Sequence, residues 1–311
     1  MKAYFLRRLL NMIPVVLGVC LIIFILFNVV AGDPTHLLLG KHASVQQMEE
    51  LRESLGLNRP FYLQYLDIVK SAFTFDFGRS WSTKQEISSM IMQGAIPSLT
   101  LSLPGFIIST LFGVVIALVV SYYRGQKIDL VVRIACIAGM SISALAYILF
   151  FQWFLAFKLG LFEISGYEYG FPYFVPFVLL PTIIWVVLSI GPDVRFFRTI
   201  ILDEIYQDYV RTARAKGLSE VVILVKHVLK NAMVPIITYV VIQIPFLILG
   251  ALLLESFFSI PGLGGMTLNA LNSSDFPVLK AMSILSAVSY MIFSLLSDFL
   301  YTLFDPRIKL K

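Results

Sequence analysis

The chain has 311 residues, 58% of them apolar and only 14% charged, with a formal net charge of +5. Its mean hydropathy is +0.85. A soluble domain of this length could not cover so much apolar surface with water-compatible groups, so composition excludes one and leaves a polytopic membrane protein.

Lys2, Arg7 and Arg8 precede the first apolar run, Leu9–Ala31, which is long enough to cross a bilayer as a helix. It is longer than a signal-peptide core and no A-x-A site follows, so it is expected to remain as an anchor. Residues 33–94 are too many for a connector. Ser44 and Gln47 fit a capping box that opens a helix through about Leu55, stopped near Gly56. Asn58 and Pro60 read as the N-cap and first turn of a second helix, with Phe61, Tyr65 and Val69 on one face. Thr83 and Glu86 are expected to cap a third, ending at Gly94. The whole is a small helical cap on the outer face, either packed over the spans or docking an external partner.

Five further spans follow: Ala95–Tyr123, Leu130–Phe157, Tyr173–Ile190, Met233–Leu254 and Leu279–Phe304. Each must be helical, because lipid offers backbone groups no partner. Pro97, Pro104, Pro181 and Pro245 are expected to kink or start them. One side of the membrane collects fifteen basic residues: Lys2, Arg7, Arg8, Arg124, Lys127, Arg195, Arg198, Arg211, Arg214, Lys216, Lys226, Lys230, Arg307, Lys309 and Lys311. The short loops opposite hold Lys158, with Lys280 at a span edge. Both termini are therefore placed in the cytoplasm.

Between Gly191 and Ala232 lies a segment that divides at Gly217. Phe197, Ile201, Ile205 and Tyr209 recur every four residues and Ala213 extends the series, which predicts one helix with one apolar face. Arg211, Arg214 and Lys216 fall in its last turns, where cations suit the helix dipole. Gly217 stands where a left-handed C-cap belongs, and Ser219 and Glu220 open the next helix, which carries Ile223 and His227 toward span five. The stretch DYVRTARAKGLSE thus reads as helix, tight turn, helix on the cytoplasmic face. Its small residues, Ala213, Ala215 and Gly217, let another surface approach closely. On these residues alone, docking of a protein and contact with anionic lipid both fit.

After span five, residues 255–277 hold Pro261, Gly262, Gly264, Gly265 and Pro277, which a continuous spanning helix would not tolerate. A short loop-helix element on the outer side is expected. Glu255, Pro261, Gly262 and Gly264 are candidates for an outer gate, with a simple folded loop as the alternative. Cys20 and Cys136 lie in apolar runs without CxxC spacing and read as inert thiols. His36, His42 and His227 have no ligand-spaced partners, so no metal site is expected. Asp298, near the cytoplasmic end of span six, is expected at the interface or paired with a basic neighbour, and Arg133 is expected to snorkel.

The run RTARAKGLS (Arg211, Thr212, Ala213, Arg214, Ala215, Lys216, Gly217, Leu218, Ser219), followed by His227–Ala232 and Pro235, resembles the EAA loop of binding-protein-dependent ABC importers. Specifically, the chain resembles the B-type permease subunit of the dipeptide/oligopeptide/nickel family. YFLRRLLNMIPVVLGV, Gly32-Asp33-Pro34, LGLNRPFYLQYL, DFGRSW, the run from Glu255 to Gly264, and Asp305-Pro306-Arg307 spread the resemblance over nearly the whole chain. The general EAA pattern has an acid where Arg211 stands and an Ile–Leu–Pro ending where His227, Leu229 and Lys230 stand. Peptide-type loops share these departures.

The resemblance implies an all-α integral membrane protein of the bacterial inner membrane. It would have six transmembrane helices, cytoplasmic termini and the type I importer permease fold with a helical extracytoplasmic cap. The expected divisions are 1–32, the outer loop 33–94, and a five-helix core 95–311 that includes the coupling loop 192–232. Tyr209, the run Arg211–Ser219 and His227 would seat in a groove on a cytoplasmic ATPase. No GxxxxGK[ST] run is present, so ATP and Mg would bind partner subunits and this chain would bind no cofactor and catalyse no bond chemistry. The implied partners are a homologous C-type permease, two ATPase subunits, an extracytoplasmic solute-binding protein and the lipid bilayer, with no nucleic acid. The implied solute is a di- or oligopeptide, with nickel or a metal chelate as the alternative. A secondary ion-coupled carrier would need inverted repeats and mid-membrane charges, which are not evident. A purely structural anchor would not need the coupling turn.

Overall fold

The computed structural model describes residues 2–35, 39 and 44–304, and for 2–6, 9 and 298–304 the backbone alone. His36, His42, the Asp298 side chain and Asp305–Arg307 lie outside what is described. Among the described residues regular structure is helical, with one isolated β-bridge, Arg79–Glu86. Five helices are long and apolar enough to cross a membrane, or six if one bent pair is a single span.

Helix α1 (Lys2–Ile25) runs on through a π turn at Leu26–Val30. The outer cap then supplies α2 (Val45–Ser54) and α3 (Phe61–Thr74). The Ser44 hydroxyl accepts from Gln47 N, and the Gln47 side chain accepts from Ser44 N, so the capping box forms as its sequence predicts. Gly56 stops α2 at φ +68°. Asn58 does not cap α3. Its amide donates to Glu49 at 2.8 Å, and Pro60 stands at the N-cap without a side-chain bond. Helix α3 lies on α1 through Ile68 and Ala72 against Cys20, Ile23 and Phe24, and Tyr65 donates to the Leu17 carbonyl at 3.1 Å.

The expected third cap helix does not exist as a separate element. Glu86 is the backbone N-cap of α4 (Ile87–Tyr122), which continues through Gly94 and Pro97 as one helix. The turn before it is held from afar. The Asp275 carboxylate accepts from the Ser80 hydroxyl and from the amides of Trp81 and Ser82, the latter two at 3.1 Å. Thr83 sits inside that turn, its amide donating to Ser80.

Helix α5 (Lys127–Ser141) and the pair α6 (Ala144–Phe151) plus π turn Gln152–Lys158 occupy the stretch expected as the third span, with a bend of 91° between them. The break falls at Ile142, which is extended at φ −88°, ψ 133°. Apolar composition continues across it, so nothing in the hydropathy marked the bend. Helix α7 (Val175–Ile205) extends well past the expected end at Ile190. The face Phe197, Ile201 and Ile205 is buried as predicted. The helix does not run on to Ala213, however. It stops at Tyr206 and a separate α8 (Asp208–Ala215) begins after Gln207.

A helical turn at Glu220–Val222 and a π turn at Ile223–Val228 lead without a break into α9 (Leu229–Ile248). The fifth span then breaks at Gly250, φ +77°, before α10 (Leu252–Phe257), α11 (Leu263–Asn272) and the sixth span α12 (Phe276–Phe304).

Among the described residues the most extensive helix contact is α4 against α7. Gly94, Ser98, Ser102, Gly105, Ser109, Gly113 and Ala117 recur every three or four residues along α4, and all are buried; Gly94 and Ser98 meet the Leu263 segment, Ser102 donates to the Leu247 carbonyl, and Gly105 and Gly113 face α7. Such a stripe lets two backbones approach closely in a membrane. A Cβ on Gly105 would stand 2.8 Å from the Trp185 ring, and one on Gly113 would stand 2.9 Å from Asp193 Cβ.

Candidate functional site

Two constellations deserve a role beyond packing. The first is the cytoplasmic turn. Helix α8 buries Val210 and Ala213 in a cluster with Phe197, Ile201 and Ile205 of α7 and with Ile223, Val228 and Ala232 of the following helix. Tyr209 donates to Glu204 at 2.6 Å, and burial together with that carboxylate pushes its phenol up to about 12. The helix ends in a Schellman motif: Leu218 N reaches the Ala213 carbonyl at 3.4 Å and Gly217 N reaches the Arg214 carbonyl at 2.9 Å. Gly217 takes φ +74°, as its position in the sequence predicts. Ser219 occupies the next N-cap position but makes no side-chain capping bond. Across the turn, Arg214 Nε and Nη2 donate to the two Glu220 oxygens at 2.6 and 3.1 Å, a planar fork that locks the two helices' angle. This pairing had no signal beyond opposite charges at the two ends of a turn.

One face of this element is therefore fastened to the membrane core. Arg211, Thr212, Ala215, Lys216, Gly217, Leu218 and Ser219 are exposed on the other. His227 stands apart from them, half-buried in the π turn. Ala213 is not one of the small residues offered to a partner, because it is buried against the chain's own core.

The second constellation is on the opposite side of the membrane. The Glu255 side chain is fully buried. Its Oε1 accepts from the Ser98 hydroxyl at 2.8 Å and from Ala251 N at 2.9 Å, and its Oε2 accepts from Gly265 N at 3.0 Å. Ser98 Oγ accepts in turn from Leu263 N at 2.8 Å. A carboxylate thus holds the free amides of the first turn of α11, where the helix dipole favours negative charge. Glycine is required around it: a Cβ on Gly250 or Gly262 would overlap a Glu255 oxygen, and one on Gly264 would stand 2.7 Å from Leu252 Cα. The residues Glu255, Gly262 and Gly264 come together as a knot, with Pro261 exposed at its edge. Ser98 and Gly250 complete the knot and were missed. The four-residue spacing of small residues along α4 was the available signal for Ser98.

Beside this knot lies a cavity of about 710 Å³, walled by Gln93, Met90, Ser256, Asn269, Tyr169 and Ser82 among others. Its walls combine uncharged hydroxyl and amide side chains with apolar ones such as Met90, Ile260 and Met266. Asp275 and Glu255 also border it, but both are taken up by internal hydrogen bonds.

Two family models cover the chain. Residues 1–104 match the N-terminal part of the binding-protein-dependent transport system membrane component, and residues 109–310 match the binding-protein-dependent transport system inner membrane component. The chain belongs to this family of ABC-importer permeases, the multi-pass inner-membrane subunits through which a solute crosses. It is similar over its whole length, and over all of theirs, to three proteins named glutathione transport system permease protein GsiC. The identity is 31% for that of Salmonella choleraesuis (strain SC-B67), 30% for that of Shigella flexneri serotype 5b and 30% for that of Escherichia coli (strain K12). The helical bundle is the type I importer permease fold that the resemblance implied.

Proposed function

We propose that this chain is the permease half of an importer for short peptides of the glutathione size class, driven through its cytoplasmic turn by a separate ATPase. The observation that carries the reading is the two-faced construction of α8. Val210 and Ala213 are clamped into the core formed with α7 and α9, while Arg211, Ala215, Lys216 and Leu218 are exposed beside them. A rigid element fastened on one side and open on the other transmits a push from a groove on a partner into the spans. Two ATPase subunits would bind ATP and Mg, a homologous permease would complete the path, and an external binding protein would meet the outer cap. The relatives named for glutathione favour a peptide over a nickel chelate as the solute.

The test is Ala215→Arg in the assembled transporter. Ala215 is exposed, so the substitution leaves the fold intact and blocks only a close-fitting partner. Loss of peptide uptake in proteoliposomes, with the ATPase released or its hydrolysis uncoupled, supports the reading. Unchanged uptake overturns it.

A further inference from the structure

Helices α5 and α7 touch at Gly191, where an added Cβ would lie 3.3 Å from the Cys136 carbonyl. They are joined again nearer the cytoplasm, where Arg198 Nη2 donates to Asp129 Oδ2 at 2.9 Å. Between these two fastenings is a cavity of about 250 Å³. Arg133, Arg195 and Arg198 line it together with Thr199, Val132 and Ile137. Asp129 faces this cluster as its one acid, 2.8 Å from Arg198 and 3.2 Å from Arg133, and also accepts from Gly125 N. Three cations against one anion leave a surplus. Arg195 has no acidic partner among the described residues, and the buried Nε of Arg198 has no acceptor.

The surroundings define what could supply the missing anion. On α5, Leu130, Val131, Ile134 and Ile137 are 50%, 63%, 57% and 55% exposed, an apolar strip that runs away from the arginines. Arg133 lies six positions along α5 from Lys127, roughly 9 Å into the helix at 1.5 Å per residue. That depth, on the side rich in Lys and Arg, is where headgroups of the cytoplasmic leaflet sit. A compact anionic group is needed at the arginines and an acyl chain at the strip.

We propose that this cavity is a binding site for an anionic phospholipid of the inner leaflet. Its phosphate is held by Arg195 and Arg133, beside the Arg198–Asp129 pair, and its acyl chains lie along α5. The site is independent of the solute and of the ATPase contact. Because it sits between α5 and α7, an occupied site adds a third tie between α5 and the helix that leads to α8.

The experiment is native mass spectrometry of the full-length chain, with the subunits that purify with it, released from membranes of phosphatidylglycerol and phosphatidylethanolamine. The variant is Arg133→Gln with Arg195→Gln, both exposed, and Arg198 is left in its ion pair. Each basic residue at such a surface is worth roughly fivefold in affinity, so the double variant should retain phosphatidylglycerol about thirtyfold less well. Selective retention by the wild type with this loss supports the site. Should the double variant assemble poorly, Arg195→Gln alone should show roughly the fivefold loss. Equal retention by wild type and variant, or equal retention of the two lipids, overturns the proposal. So does binding of inorganic phosphate with no lipid retained, which marks a free-anion site. Efficient cross-linking of Arg195→Cys to a second permease subunit also overturns it, because the face is then a protein interface.

Discussion

The Glu255 carboxylate accepts a hydrogen bond from the Ser98 hydroxyl at 2.8 Å, across 157 positions of chain. That contact joins the helix of the second span to the outer segment and to α11, whose Gly265 amide donates to the same carboxylate and whose Leu263 amide donates to Ser98 Oγ. Removing the acceptor strands several donors at once in a place water does not reach.

Glu255→Ala should therefore cost about 3 kcal/mol or more, since each buried unsatisfied donor costs about 1–3 kcal/mol. Ser98→Ala should cost less, about 1–3 kcal/mol, because the carboxylate keeps its two backbone donors and only the Leu263 amide is stranded. The check is the apparent unfolding midpoint of the detergent-solubilised chain. A Glu255→Ala protein as stable as the wild type contradicts the cap.

The glycines at Gly217 and Gly250 share a positive φ but not an environment. An added Cβ at Gly217 meets nothing within 4 Å, so Gly217→Ala should cost only the backbone term, about 1 kcal/mol. At Gly250 the same methyl would strike a Glu255 oxygen and stand 2.8 Å from Gly264 N. Gly250→Ala should lose most of the folded protein, at a cost of about 3 kcal/mol or more. Yield of membrane-inserted, monodisperse protein separates the two.

Within α8, buried and exposed positions should diverge. Val210→Ala removes two methyl groups from the core and should destabilise by about 2 kcal/mol once the cavity is counted. Ala213→Asp would bury an unpaired charge and should fail to assemble. Lys216→Ala, exposed beside the C-cap, should stay within about 0.5 kcal/mol of the wild type in stability and show its effect in uptake alone.

At the outer face, Asp33 ties α1 to α2. Burial raises its pKa, but hydrogen bonds from Thr35 and the Arg52 guanidinium outweigh that and hold it below its ordinary 3.8. A depressed folded-state value means the contact stabilises fully above 3.8 and is lost as pH falls through the lower folded value. Protease cleavage in the cap should thus be constant from neutral pH down to about 4 and rise below it. Asp33→Asn should cleave faster at neutral pH and show no such rise.

What could be read without the structure was local. The Ser44–Gln47 box and the Gly217 cap involve residues within a few positions of one another, and both were legible. The end of α7 at Tyr206 was not, because Phe197, Ile201, Ile205 and Ala213 keep a helical rhythm across a break in the backbone. The bend at Ile142 sits in an apolar run where lipid-facing and buried positions look alike. Glu255 was visible as an acid at the start of the Gly- and Pro-rich outer segment. Its role as an internal cap depends on Ser98 and on glycines whose importance appears only when distant segments meet. The outer cap lost its third helix for a similar reason: Asp275, far along the chain, fixes the turn at Ser80 and leaves Thr83 no helix to begin.

The stripe of small residues on α4 has a mechanical consequence. Side chains can change rotamer to absorb sliding between helices, but glycine, serine and alanine have almost nothing to rearrange. Over the contact from Gly105 to Ala117, helices α4 and α7 thus act as a single beam. The helical rods are interrupted at Ile142, at Tyr206 beside α8, and at Gly250 beside the Glu255 knot. A force applied at α8 enters the beam at one of its own ends, next to one of those joints.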